Sequence, residues 1–464
     1  MTTPTPAPTP TSATQPTPRT GDLKPPSPTL TLTAALLGFA LISLDASVVN
    51  VALPSIEDAF GGGMSGLQWV VDAYTLSFAA LMLSTGAFAD RAGASRAYAI
   101  GIALFTLAST ACGLAPNLPT LIGARVLQGM AAAVVLPASL SLVRQAYAEP
   151  AKRARAVATW GAGGAVAVAL GPVAGGTLTT LWEWRGIFFI NLPLGAVALL
   201  LLIRAPRSER RPAPLDLPGQ LTAVVALTAV TFAVIEGGAT AVGALLVAIL
   251  AGAVFIRVER RQSHPVVPFG LFRSRTVSVA VAAGAACSVA FFGLVFLFSL
   301  FFQQVQGRSA LYAGLMFLPM TSLIGVTNIV SGKLAARYTP QLPMLIGQSL
   351  AALGSLVLLY VDESTPPLLV AWLLVPMALG CALTVPPLTI AMMDAVPAER
   401  AGLAAGVLNS ARQVAGGLGI AVFGALVADD FTTGLRESLA ISATLFAVTA
   451  FLSFRLSNRP ANLA

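Results

Sequence analysis

The chain has 464 residues, of which 56% are hydrophobic and 10% charged, and its formal net charge is +8. A soluble globular chain is roughly 45–50% apolar with about 25% charged residues, so soluble domains of this length would leave most of the apolar surface without a core. The excess of Lys and Arg does not read as a nucleic-acid footprint, because it falls in alternate short loops between apolar runs.

In chain order, residues 1–29 are rich in Thr, Pro and Ala, carry no apolar run and no cleavable signal pattern, and read as a disordered cytoplasmic tail. Apolar runs of membrane length follow at 31–54, 67–88, 97–115, 119–143, 156–180, 186–204, 217–237, 241–258, 277–303, 311–335, 343–361, 368–392, 402–428 and 438–457. A spanning helix needs about 20 mainly apolar residues. Backbone amides in hydrocarbon must be satisfied within the segment, so runs of this length are helices. A membrane β-barrel would show shorter, strictly alternating segments instead. The expected fold is an all-α polytopic membrane protein with about fourteen transmembrane helices.

One stretch occurs twice. Gly86-Ala87-Phe88-Ala89-Asp90-Arg91 closes the second run, and Gly332-Lys333-Leu334-Ala335-Ala336-Arg337 closes the tenth, 246 residues later. Pro150-Ala151-Lys152-Arg153-Ala154 is answered by Pro397-Ala398-Glu399-Arg400-Ala401. The chain therefore divides into the tail, an N-terminal six-helix half at 30–204, basic loops with two inserted helices at 205–276, and a C-terminal six-helix half at 277–464. Two is an even number, so the insertion leaves both halves in the same orientation, as parallel repeats about an axis normal to the membrane. Basic residues crowd alternate loops: Arg91 and Arg96; Arg144, Lys152, Arg153 and Arg155; Arg204, Arg207, Arg210 and Arg211; Arg257, Arg260, Arg261, Arg273 and Arg275; Lys333 and Arg337. The intervening loops carry Glu57, Asp58, Asp362, Glu363, Asp429 and Asp430. This asymmetry places the basic loops and both termini in the cytoplasm.

Four motifs then stand in order on the expected helices: Leu44-Asp45-Ala46-Ser47-Val48-Val49-Asn50-Val51-Ala52-Leu53-Pro54 on the first, Gly86 through Gly93 after the second, Arg125-Val126-Leu127-Gln128-Gly129 on the fourth, and Gly171-Pro172-Val173-Ala174-Gly175-Gly176 on the fifth. With these the chain resembles the major facilitator superfamily, and within it the fourteen-helix drug/proton antiporters of bacteria, from about residue 35 to 455. The resemblance implies that Asp45 is the coupling acid. It also implies that Gly86, Asp90, Arg91 and Gly93 form a loop holding the inward gate shut, and that the Gly171–Gly176 motif marks export rather than uptake. Two departures stand out: Ala94 and Ser95 precede Arg96 where the family has a basic run, and Ala336 replaces the Asp in the second copy. Pro172 in a helix interior removes a hydrogen bond and bends the helix, a kink on which the halves could rock.

Ionisable groups inside a bilayer cost roughly 2.5–3.5 kcal/mol each on insertion scales, which makes them functional candidates. Asp45, Asp72 and Arg125 fall at comparable depth on three helices of the first half and are expected to form one cluster of two acids and a base facing the central cavity, the proton-coupling site. Burial disfavours a charged carboxylate and a neighbouring guanidinium favours it, so an acid between the two can load and release a proton. Asn50, Asn328, Asn409, Arg412 and Gln413 are the candidates for the substrate cavity. Trp69, Tyr74, Phe291, Phe292 and Phe296 could add apolar and cation–π surface. Glu236 reads as interfacial, the inserted helices carry no expected transport chemistry, and His264 reads as a solvated loop residue. Cys112, Cys287 and Cys381 lie far apart with no metal-ligand spacing, as small core hydrophobes.

The expected function is proton-coupled antiport that exports lipophilic drugs or antibiotics across the bacterial cytoplasmic membrane. Export of an endogenous metabolite such as a self-made antibiotic is the alternative, and proton-coupled solute uptake stands behind it. No phosphate-cradling loop supports ATP-driven pumping, and no nucleophile or metal constellation supports an enzyme. The expected partners are a small lipophilic substrate, protons and membrane lipid, with no cofactor, no metal and no nucleic acid, and the expected working unit is a monomer.

Overall fold

A computed structural model describes residues 27–203, 216–262, 265, 267–397 and 401–457. Most of the tail, the loop basics Arg204, Arg207, Arg210 and Arg211, His264, and Glu399 with Arg400 lie outside the described residues. The first six spans are α1 (Pro28–Phe60), α2 (Gly63–Ala92), α3 (Ala94–Gly113), α4 (Leu118–Ala146), α5 (Pro150–Trp182), and the pair α6 (Gly186–Phe189) and α7 (Asn191–Leu202). The inserted helices are α8 (Leu217–Glu236) and α9 (Gly238–Arg261). The last six spans are α10 (Arg275–Leu300) with a π turn at Phe301–Val305, α11 (Ala310–Met316) with α12 (Leu318–Arg337), α13 (Gln341–Leu358), α14 (Pro367–Leu373) with α15 (Val375–Asp394), α16 (Ala401–Val427) and α17 (Phe431–Ser457).

Twelve of these spans are long and apolar enough to cross a bilayer. The bent α2 (Gly63–Met82 and Ser84–Ala92, at 65° to each other) makes a thirteenth if taken as one span, and Gly186–Leu202 is a shorter apolar helix. No strand occurs among the described residues. The helices start where residue chemistry starts helices. The Asn117 side chain accepts from Thr120 N at 3.0 Å, the Asp216 side chain from Gly219 N at 2.8 Å and the Asp430 side chain from Thr433 N at 2.6 Å, each satisfying an amide the helix itself leaves orphaned. The first helix begins at Pro28, earlier than the apolar run suggests, because Pro at its first turn loses no hydrogen bond. It ends where Gly61 takes φ 69°. α5 continues as one helix through Pro172.

The packing repeats. In the first group α1 lies against α4, α5 and α7, α2 against α4, and α3 against α4 and α7. In the second group α10 lies against α15, α16 and α17, α12 against α15, and α13 against α15 and α17, in the same order along the chain. Two seams join the groups, α2 against α16 and α5 against α11 and α12. The hairpin α8–α9 sits on the first seam, with α8 touching both α2 and α16.

The two ends of the bundle differ. At the end away from the basic loops, a single core runs through both groups, from Val48, Leu53 and Val70 to Phe296, Phe298, Phe301, Phe317 and Phe423. Polar bonds cross there as well: Ser299 Oγ donates to Asn50 O at 2.8 Å, Gln303 Nε2 to Val51 O at 3.0 Å and Gln304 Nε2 to Glu57 Oε2 at 2.7 Å. At the basic-loop end the groups keep separate cores. One holds Ala35, Phe78, Ala97, Tyr98 and Leu142; the other holds Leu271, Val277, Met344, Leu388 and Leu408. The molecule is closed at one end and parted at the other.

Candidate functional site: a buried ion cluster beside a central cavity

Helix α4 approaches α2 so closely that a side chain at Gly129 would lie 2.3 Å from the carbonyl of Tyr74. That approach brings Arg125, one turn earlier on α4, against α2: Arg125 Nε donates to Val70 O at 3.0 Å, and its guanidinium carbon lies 4.3 Å from the centre of the Tyr74 ring. Arg125 Nη1 reaches Asp45 Oδ2 of α1 at 2.5 Å, and neither side chain has any exposure. Asp45 Oδ1 accepts from Gln128 Nε2 at 2.7 Å and from Asn191 Nδ2 at 2.8 Å. Gln128 Oε1 in turn accepts from Arg125 Nη1 at 2.8 Å, and Asn191 Nδ2 also donates to Ser109 Oγ at 2.9 Å. Tyr74 OH donates to Ile42 O at 3.0 Å, holding the ring beneath the cation. Two donors from α4 and one from α7 thus converge on one carboxylate of α1. Such charge-assisted bonds in a dry setting are strong, and breaking a buried pair from one side costs about 3–5 kcal/mol.

Asp72 does not join that cluster. It has no exposure, and neither of its oxygens has a hydrogen-bond partner. A side chain built on Gly417 of α16 would lie 3.2 Å from Asp72 Oδ1, so this carboxyl points across the α2–α16 seam into the second group. The expectation of one cluster of two acids and a base is corrected to an Asp45–Arg125 pair inside the first group, in which Arg125 Nη2 has no partner, and a solitary Asp72 at the seam. The reason is helical phase. Val70 and Tyr74 of α2 face Arg125, and Asp72, midway between them, falls on the other side of the helix.

Next to this seam lies a small cavity of about 20 Å³, lined by Ala46, Val71, Tyr74, Thr75, Phe292, Gln413 and Ile420. Gln413 therefore stands on its wall. Asn409 is exposed one turn further toward the parted end, and Asn328 is half-buried on α12. Arg412 turns its stem toward α10, where a side chain on Gly284 would meet its Cγ at 3.1 Å, and lies beside Cys287 and Cys381. Asn50 is buried at the closed end, donating to Ala46 O and Ser47 O of its own helix. Phe296 is wholly buried in the shared core, and of Phe291, Phe292 and Phe296 it is Phe292 that lines the cavity. Trp69 faces the hairpin: its Nε1 donates to Glu236 Oε1 at 2.8 Å, and Ser65 Oγ donates to the same oxygen at 2.9 Å.

The fifth-helix motif forms close contacts on two sides. Side chains at Gly171 and Gly175 would strike Ser47 and Val48 of α1, and one at Gly176 would lie 2.4 Å from Ala310 O of α11. Gly86 is half-buried with open space over it, Gly93 takes φ 85° in the turn to α3, and Asp90 and Arg91 are exposed at the end of α2. Among the described residues neither Asp90 nor Arg91 makes an ion pair, as befits the parted end of the bundle.

Sequence reasoning missed Gln128, Asn191 and Ser109, which complete the shell of Asp45. Gln128 stood inside a motif already singled out. Asn191 and Ser109 are uncharged polar residues on apolar runs, and nothing short of the packing distinguishes them from the many others.

A polytopic helical protein with two similarly packed groups of helices, a buried ion pair in one and a cavity between them is a membrane carrier. The chain belongs to the Major Facilitator Superfamily, whose family model matches residues 35–420. It is 39% identical over 421 residues to the "Multidrug resistance protein Stp" of Mycobacterium tuberculosis, covering 88% of this chain and 78% of that one. It is 36% identical over 438 residues to the "Methylenomycin A resistance protein" of Streptomyces coelicolor, covering 92% of each, and 34% identical over 442 residues to the "Puromycin resistance protein pur8" of Streptomyces alboniger, covering 91% and 87%. The fold is similar to that of a bacterial homologue of the human lysosomal transporter Spinster, with a TM-score of 0.70 at 18% identity over 94% of this chain and 99% of that one. A D-xylose–proton symporter gives 0.67 at 15% identity over 92% and 97%. These two likenesses concern the fold.

Proposed function

We propose that the protein exports lipophilic drugs or antibiotics across the bacterial cytoplasmic membrane in exchange for protons, working as a monomer with both termini and the basic loops in the cytoplasm. The relatives named for multidrug, methylenomycin and puromycin resistance support the export reading, and the loop charges support the orientation. The parted end of the bundle is then the cytoplasmic end, and the cavity receives its substrate from that side.

The observation that carries the coupling is the contrast between the two acids. Asp45 is held by three donors and has a fixed counter-charge. Asp72 is equally buried, has no donor, and lies on the seam that must rearrange when the groups rock. A bare carboxylate costs several kcal/mol to bury unless something cancels its charge, and the groups on offer are a proton or a cationic substrate. Asp72 is the site where the two exchange, and the Asp45–Arg125 pair holds α1, α2 and α4 in register beneath it. One charge moved through 100 mV provides about 2.3 kcal/mol, a gradient of some tens-fold at about 1.4 kcal/mol per factor of ten.

The test uses purified protein in liposomes with an imposed pH difference and a fluorescent lipophilic dye. The wild type accumulates dye uphill. Asp72→Asn retains downhill dye exchange and loses the uphill component. Uphill accumulation by Asp72→Asn at the wild-type rate would remove Asp72 from the coupling.

A further inference from the structure

We propose that Asn409, Arg412 and Gln413 of α16 form an acid-recognition site, so that the exported lipophilic cargo carries an ionised acidic oxygen group such as a carboxylate. This rests on the export reading above and adds the chemical class of the cargo. Two arginines set deep in the bundle are partnered very differently. Arg125 has Asp45, Gln128 and the Val70 carbonyl around it. Arg412 stands near the middle of α16 (Ala401–Val427), and among the described residues it makes neither an ion pair nor a hydrogen bond. Its Nε is buried without a partner, and its stem lies against Gly284 of α10. Beside it are Cys287 of α10 and Cys381 of α15, and a thiol is an uncharged, weak acceptor.

A guanidinium keeps its proton in a protein. Asp72 can discharge itself by taking up a proton; Arg412 has no such escape, and an uncancelled charge at this depth is costly. What cancels it must bring negative charge. The neighbours on α16 suit the same ligand. At about 100° per residue, Asn409, Arg412 and Gln413 fall within about 100° of one another, on one face of the helix. Asn409 is exposed, Gln413 lines the small cavity at the seam, and among the described residues no hydrogen bond engages either side-chain amide. Gly416, on the same face, packs against Phe292, which lines that cavity too. Two amides and a guanidinium make a set rich in N–H donors around one positive charge, which suits an anionic oxygen rather than a cation. Asp72 meets Gly417 on the other flank, five residues from Arg412 and so about 140° round the helix. The cargo's acid and the exchanged proton are therefore handled on opposite flanks of α16.

The test compares 1-pyrenebutyric acid, ionised at neutral pH, with its uncharged methyl ester. Binding of each to the purified full-length protein in detergent is measured by equilibrium dialysis, with empty micelles as the blank, for the wild type, Arg412→Gln and Arg412→Lys. The wild type should hold the acid at least about tenfold more tightly than the ester, the effect of one charge-assisted contact. Arg412→Gln should abolish that preference and Arg412→Lys restore part of it, with ester binding within about twofold in all three. No preference for the acid in the wild type, or the same preference in Arg412→Gln, overturns the proposal. Should Arg412→Gln fail to fold, the double variant Asn409→Ala with Gln413→Ala decides. It should weaken the acid at least about threefold and spare the ester, and equal effects on both overturn the site. Stabilisation by chloride or sulfate that depends on Arg412, without a preference for the acid, marks an inorganic-anion site and also overturns it. Transport is read separately, in proteoliposomes with an imposed pH difference: an acid bound with the expected preference but never accumulated uphill counts against the export reading alone.

Discussion

Asp72 on α2 and Gly417 on α16 face each other across the boundary between the two groups of helices, so close that a methyl group on Gly417 would lie 3.2 Å from the Asp72 carboxyl. On the proposed mechanism the acid reports the separation of the groups: rocking that opened this seam would hydrate it, and closing would return it to a dry site. Gly417→Leu should crowd the carboxyl and reduce proton-driven export by about tenfold or more. Uptake of dye into inside-out vesicles under an imposed pH difference measures this, and an unaltered rate would contradict it.

The Asp45–Arg125 pair makes the opposite prediction, for stability. Arg125→Ala leaves Asp45 without its counter-charge in a dry core and should destabilise by about 3–5 kcal/mol, seen as a lower apparent Tm in detergent. Asp45→Asn should cost less than Arg125→Ala, since Gln128 and Asn191 can still donate to an amide oxygen. The double variant Asp45→Asn with Arg125→Ala should be less unstable than the sum of the two singles. If the double variant is as unstable as the sum of the singles, the two residues do not act as a pair.

Closure away from the basic loops depends on Gly176, whose added side chain would lie 2.4 Å from Ala310 O. Backbone cannot yield as a side chain can, so Gly176→Leu should hold that end apart. Spin labels at Glu57→Cys and Gln304→Cys, whose native side chains bond at 2.7 Å, should give a short distance in the parent and a distribution shifted to longer distances in Gly176→Leu. The three native cysteines are buried and would be replaced first. Identical distributions would show that the α5–α11 contact does not govern closure.

Glu236 accepts from both Trp69 and Ser65 and is itself exposed. Its removal costs two hydrogen bonds worth about 0.5–1.5 kcal/mol each at most. Glu236→Ala should therefore fold and still transport, with the Trp69 emission shifted to the red as its surroundings loosen. Loss of all transport in a well-folded Glu236→Ala would give the hairpin a direct part in transport.

Much of this was legible in the order of residues. Runs of apolar residues long enough for a bilayer admit only helices, because the backbone must satisfy itself. The duplicated Gly86 and Gly332 stretches and the four motifs announced a carrier of two related parts, and family membership bears that out. The same reading ran together what packing separates. It grouped Asp72 with Asp45 because both lie at one depth, and depth follows from counting residues along a helix. Which face a residue presents, and to which neighbour, depends on helix rotation.

The sequence alone determined the solvent the protein lives in, the number and type of its spans, and the residues too polar to sit in hydrocarbon without a purpose, since these depend on local composition and length. Tertiary structure decided which of those residues are satisfied. Three donors from α4 and α7 converge on Asp45, none reaches Asp72, Trp69 turns to the hairpin, and α8 packs on both α2 and α16. These outcomes are set by the close approach of backbones at Gly129 and Gly176 and by the rotation of each helix against its neighbours, relations between residues up to hundreds of positions apart that no local window contains.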